Sequence, residues 1–193
     1  MTENIMNAKH DVIIGIDASL THTGISVISV DDGVHIERIC VPKTRGAERL
    51  KDIEEWFSNL FIELEQKYQY TIKISVLEGY AFTPRFGQSF SLGELGGVIK
   101  LFLYKRNIKL FTVAPQTLKK FATGSGKGDK NMMLLKAFKK WGVEFNNDHT
   151  CDAFSLAMIG KAIYEIENKI KDIKQYFDYE QEVIKLIMKQ IEE

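Results

Sequence analysis

The run Val12-Ile13-Ile14-Gly15-Ile16 ends on an acid, Asp17, and then on small, hydroxyl-bearing residues, Ala18-Ser19-Leu20-Thr21-His22-Thr23-Gly24. β-Branched residues at this density predict a buried strand. Ile25, Val27, Ile28 and Val30 start a second one, so Asp17 falls where a central hairpin turns. A lone carboxylate at the end of a buried strand costs several kcal/mol of desolvation unless a partner or a cation holds it. From this segment alone, Asp17 is either a turn cap or one member of a site.

The pattern downstream builds a layered α/β chain. Val34 to Val41 predicts a third strand, reached through the turn Asp31-Asp32-Gly33. Leu50, Ile53, Trp56, Phe57, Leu60, Phe61 and Leu64 recur at three-and-four spacing, which predicts a helix over 48–66. Ile72 to Leu77 is a fourth strand with Glu78 at its C-terminal end. A helix over 88–106 follows, with Leu92, Leu95, Val98, Ile99, Phe102 and Leu103 on its apolar face. Gly93, Gly96 and Gly97 weaken that helix but admit a close neighbour, such as a second subunit. Ile108 to Val113 is a fifth strand, and Pro115 opens a short helix. Helices over 130–141 and 148–161 complete the core, giving the order β-β-β-α-β-α-β-α-α.

Composition narrows the class. With 193 residues, 45% of them hydrophobic, the chain suits one domain with an appendage. No apolar run approaches the roughly 18 residues of a membrane span. The polar stretch Met1 to His10 lacks the apolar region of an export signal, so the cytoplasm is expected. Cys40 and Cys151 lack disulfide or metal spacing and are expected in the core. Trp56 and Trp141 are expected as packing residues.

Formal net charge is zero, but its distribution is uneven. Between Pro115 and Lys140 there are seven lysines and one acid, Asp129, while from Glu165 onward eight acids outnumber five lysines. Concentrated lysines make an electrostatic footprint even on a neutral chain.

Asp17 and Glu78 each end a strand, and Asp148-His149-Thr150-Cys151-Asp152-Ala153 opens a late helix. Asp152 lies four residues from Asp148 and three from His149, and either spacing places two ligands on one helix face. Carboxylates and an imidazole converging in one place make an oxygen-rich site suited to Mg²⁺ or Mn²⁺. Two such ions about 4 Å apart would clamp the attacking and leaving oxygens of a phosphodiester.

The order Gly-Ile-Asp…Thr-Gly, then a strand-ending Glu, then His-x-x-Asp-Ala on the last core helix resembles the RuvC-type Holliday-junction resolvases over residues 11–162. The resemblance implies a ribonuclease-H-like fold, a mixed five-stranded sheet flanked by helices. It implies a nuclease domain over 1–162; residues 163–193 have no clear family counterpart, and their apolar spacing predicts a helical extension packed on the core or on a dimer partner. It further implies a homodimer that uses Mg²⁺, with Mn²⁺ as a substitute, to nick opposed strands of a four-way DNA junction. By resemblance Asp17, Glu78 and Asp152 are the carboxylate positions. The fourth is His149 or Asp148, with His149 favoured and Asp148 otherwise a helix cap. The lysine-rich single-domain form suits a bacterium or a phage.

Lys119, Lys120, Lys127 and Lys130 fall where the resemblance places phosphate-binding lysines, around the glycines 124, 126 and 128. Lys136, Lys139 and Lys140 read as an ordinary solvated face. The loop Gly79-Tyr80-Ala81-Phe82-Thr83-Pro84-Arg85-Phe86-Gly87 combines aromatics with Arg85, the make-up of a base-stacking platform. Phe82 is the first choice for stacking and Tyr80 the second. Competing readings are a fork or flap nuclease of the same fold and a non-catalytic junction-binding protein. A third, an actin-like or sugar-kinase phosphate hairpin, is disfavoured because the chain holds one copy of the fold.

Overall fold

The computed structural model describes residues 10–31, 33–80, 86–127 and 130–191. Five strands form one sheet: β1 (His10–Asp17), β2 (Thr23–Ser29), β3 (His35–Cys40), β4 (Tyr70–Glu78) and β5 (Lys109–Val113). Their spatial order is β3-β2-β1-β4-β5. β1 pairs antiparallel with β2 and parallel with β4, and β5 joins β4 in parallel. The antiparallel half follows from the short turns after β1 and β2. The parallel half needs helical crossovers, supplied by α1 (Gly46–Ile62) and α2 (Phe86–Lys105). α3 (Pro115–Thr123), α4 (Lys130–Trp141), α5 (Asp148–Glu167) and α6 (Asp178–Met188) follow β5.

Side-chain alternation sorts β1 between two cores. Val12, Ile14 and Ile16 pack with Ile53, Phe57 and Phe61 of α1 and Leu95, Ile99 and Phe102 of α2. Ile13 faces the opposite way, into a second core with Phe121 of α3, Ala137 of α4, Leu156 and Ala157 of α5 and Ile184 of α6. The expected helix over 48–66 is α-helical only to Ile62 and widens into a π turn at Glu63–Lys67, which keeps Leu64 buried.

α5 crosses the centre of the sheet, and glycines let it sit unusually close. A Cβ on Gly15 would stand 1.9 Å from the Ala153 carbonyl oxygen and 2.5 Å from the Ala157 nitrogen. From the helix side, a Cβ on Gly160 would meet Ile13 at 2.6 Å and Val76 at 2.9 Å. The helix runs six residues beyond the expected 161, as far as Glu167.

The C-terminal segment joins the second core through Val183, Ile184 and Ile187 of α6. Two features fasten it. Glu180 is buried and pairs with Lys140 at 2.6 Å, and the same ammonium donates to the Phe121 carbonyl at 2.6 Å. Lys140 is therefore not the solvated lysine expected of it. Burial pulls its pKa down, and Glu180 holds it charged. At the chain's far end the Gln190 amide brackets Thr112 of β5. It accepts from the Thr112 N–H at 3.2 Å and donates to the Thr112 carbonyl at 2.8 Å. Cys40 and Cys151 are buried, their thiols pushed up to about 11 and about 12 by desolvation, as core cysteines should be. Among the described residues no helix is long and apolar enough to cross a membrane.

Candidate active site

The alternation that sorts the β1 core also aims its terminal acid. Ile13 and Gly15 face α5, so Asp17 faces it too. On β4, Ile74 and Val76 face that side, and so does Glu78. The strands run parallel with Ile16 opposite Leu77, so the two carboxylates lie one residue further along, side by side at the sheet's C-terminal edge. α5 begins above them. Its N-cap is Asn147, whose side chain accepts from the Thr150 N–H at 2.9 Å. The cap role considered for Asp148 therefore belongs to its neighbour. Capping at Asn147 leaves His149 and Asp152 on successive turns facing the strand ends.

Asp17 is 7% exposed, and its Oδ2 lies 2.6 Å from His149 Nδ1. Glu78 is hydrogen-bonded to Asp17, and burial followed by the Asp17 charge pushes its pKa up to about 9. Burial also raises Asp152 to about 7, with further contributions from Asp17 and Asp148, and His149 opposes the shift. Lys119 of α3 favours ionisation of both Glu78 and Asp152, which places its charge beside the cluster rather than on a distant solvated face. The structure thus brings Asp17, Glu78, His149, Asp152 and Lys119 together, with Asp148 close enough to act on Asp152.

Among the described residues no three His, Cys, Asp or Glu side chains are already arranged as a metal cage. Asp17 is turned onto His149 instead. The donor set nonetheless fits a divalent cation. Three carboxylates share a buried edge, beside an imidazole, where desolvation and then their mutual repulsion oppose ionisation, and that is the environment a hard cation relieves.

A consequence concerns stability. A carboxyl whose folded pKa is raised imposes no penalty below its unfolded value, 4.5 for Glu78 and 3.8 for Asp152, and an increasing one as pH climbs towards the folded value. For Glu78 that window closes at about 9 and for Asp152 at about 7. Glu78→Gln should therefore stabilise the metal-free protein by about 1–3 kcal/mol at pH 8, with little change at pH 4. Thermal melts of both proteins at the two pH values check this, and equal midpoints at pH 8 would contradict it.

The remaining candidates are dispersed. Lys120 is ion-paired with Glu182 of α6, so a phosphate must compete for it. Lys127 is exposed. Lys130 opens α4, but its side chain, like Phe82 and Arg85, lies outside the described residues. Tyr80 is turned into the fold. Its hydroxyl lies 0.8 Å from where a Cβ on Gly96 would stand, and among the described residues it is buried without a hydrogen-bond partner. The close neighbour that Gly96 admits is therefore Tyr80, while Gly93 and Gly97 face open space. Sequence reading gave no role to His22, whose ring stacks on His149 with centroids 5.7 Å apart.

A mixed sheet in the order 3-2-1-4-5, with acids at the ends of its central parallel pair and a helix bringing further polar side chains above them, defines the ribonuclease-H-like fold. The solved structure of T. thermophilus RuvC in complex with Holliday junction substrate shares this fold. It matches with a TM-score of 0.62 at 19% identity, over 77% of this chain and 92% of that one. The family model for crossover junction endodeoxyribonuclease RuvC matches residues 13–160, and the chain belongs to that family. The RuvC of Chlamydia trachomatis serovar L2 is 29% identical over 153 residues, 77% of this chain and 89% of its own. That of Ehrlichia canis is 28% identical over 151 residues, 76% of this chain and 93% of its own. α6 lies beyond the matched span.

Proposed function

We propose that this protein is a cytoplasmic, Mg²⁺-dependent endonuclease that resolves four-way DNA junctions by paired, symmetric nicks. The observation that carries this reading is the convergence of Asp17, Glu78, His149 and Asp152 from three separate elements onto one buried edge. Asp17, Glu78 and Asp152 are the oxygen donors for the metal and His149 the nitrogen donor. Bound Mg²⁺ supplies neutralisation of the scissile phosphate and a more acidic water. Lys119 faces the carboxylates and is placed to meet the phosphate that enters between them. Lys127, with the glycine loop at the end of α3, extends the cationic surface away from the cluster. Phe82 and Arg85, in the segment immediately after Glu78, are assigned to bases at the opened junction. Residues 163–193 act as a helical extension of the nuclease domain.

Paired nicking needs two active sites, and α2 offers the contact. Phe90, Leu101 and Tyr104 are 71%, 53% and 78% exposed, and the open glycines 93 and 97 lie on the same stripe. Large side chains alternating with bare backbone suit an isologous contact in which α2 packs against its own copy. Leu101→Arg should convert the dimer to a monomer and abolish paired nicking. Light scattering behind a sizing column reads the first effect and cleavage of a cruciform plasmid the second. A variant that stays dimeric would place the interface elsewhere.

The function itself is tested with a labelled four-way junction, a replication fork, a flap and linear duplex, each with and without Mg²⁺. Symmetric Mg²⁺-dependent nicks confined to the junction support the proposal. Equal cutting of forks and flaps would recast the protein as a general branch nuclease.

A further inference from the structure

The turn between β1 and β2 holds a side chain that the proposed chemistry leaves unused. His22 is exposed and adds nothing to either core, yet its ring lies flat against His149, with planes 9° apart and centroids 5.7 Å apart. His149 in turn bonds Asp17 through Nδ1. The turn is fastened from within. The Ser19 N–H donates to Thr23 Oγ1 at 3.2 Å, and the Thr23 hydroxyl donates back to the Ser19 carbonyl at 2.7 Å. Ser19 Oγ also accepts from the N–H groups of Thr21 at 3.4 Å and His22 at 3.5 Å. Gly24 then brings the start of β2 against α5, for a Cβ there would stand 2.5 Å from the His149 carbonyl oxygen. The turn is thus locked in shape and seated on the residue whose ring it touches.

We infer that His22 is a positioning residue for His149. The Nδ1 contact with Asp17 fixes one atom of the His149 ring, and a parallel ring alongside its face helps to fix the plane of the rest. The backbone of the turn could be held by almost any residue at position 22, because only its N–H is used there. The ring is needed for the stack. This inference rests on the proposed role of His149 as a metal ligand, but the stack itself can be tested without metal.

The test uses full-length wild type, His22→Ala and His22→Phe. In the metal-free proteins, imidazole resonances are read by NMR, which is tractable because the chain has four histidines. His149 signals should shift in His22→Ala as the neighbouring ring current is lost, and move back towards wild type in His22→Phe. With Mg²⁺ and a four-way junction, His22→Ala should lower kcat about tenfold with KM unchanged, and His22→Phe should restore most of it. Unmoved His149 signals in His22→Ala would overturn the inference, since no stack would exist in solution. Failure of phenylalanine to restore kcat, or a rise in KM, would also overturn it by showing that the His22 nitrogens touch DNA or metal directly. If the wild type cleaves no junction, the function proposal fails, while the resonances still decide whether His22 orients His149.

Discussion

Asp17→Asn should reduce junction cleavage by on the order of 10³-fold or more, equivalent to at least about 4 kcal/mol of barrier, while leaving junction affinity nearly unchanged. The separation follows from where the charges sit. Asp17 is buried, hydrogen-bonded to His149 and Glu78, and raises the pKa of both Glu78 and Asp152. Asparagine keeps its size and one oxygen for His149, but removes the charge that a cation would need. On the proposed reading, DNA affinity rests by contrast on the lysines of α3 and the loop after it. The variant should also melt higher without metal, because Glu78 and Asp152 lose a repulsive neighbour. Gel-shift titration beside a cleavage time course reads both effects. Cutting at the wild-type rate would refute the assigned site, and loss of binding by a folded variant would move Asp17 to a DNA-holding role.

The second large effect is expected away from any charge. Gly15→Ala places a methyl group 1.9 Å from the Ala153 carbonyl oxygen, and neither strand nor helix backbone can yield there as a flexible side chain would. α5 must lift off β1, at about 3 kcal/mol. For a domain of this size that corresponds to a thermal midpoint lower by roughly 6–12 °C. The same displacement carries His149 and Asp152 away from Asp17, so the folded fraction should cleave more slowly at every Mg²⁺ concentration. Differential scanning calorimetry and a metal titration of cleavage measure the two consequences. An unshifted midpoint would mean that α5 sits further from the sheet than described.

Much of this was legible in the chain because it depends on local pattern. The β-branched runs, the three-and-four stripe from Leu50 to Leu64 and acids placed at strand ends are all features of contiguous segments. Their alternation predicts which way Asp17 and Glu78 point once the neighbours are known. What escaped were pairings between elements distant in sequence. Lys140 looks like one more solvated lysine until Glu180, forty residues on, is folded over it. No local pattern marks Gly15 and Gly160 as the places where strand and helix come closest. Gly96 suggested an outside partner, and the partner is Tyr80 from the same chain. Asn147 and Asp148 are equally able caps by type, and only the observed start of α5 separates them.

The Gln190 bracket on Thr112 also bears on solubility. β5 is the last strand of the sheet, and its outer side presents a row of backbone donors and acceptors to any extended segment that drifts past. A side-chain amide bonded to both groups of Thr112 fills one rung of that ladder with something that cannot propagate it. The turn that carries Gln190 therefore occupies a rung that an added strand would need. It guards the side of the sheet where, in a crowded cell, a second molecule would otherwise be able to add its own strand.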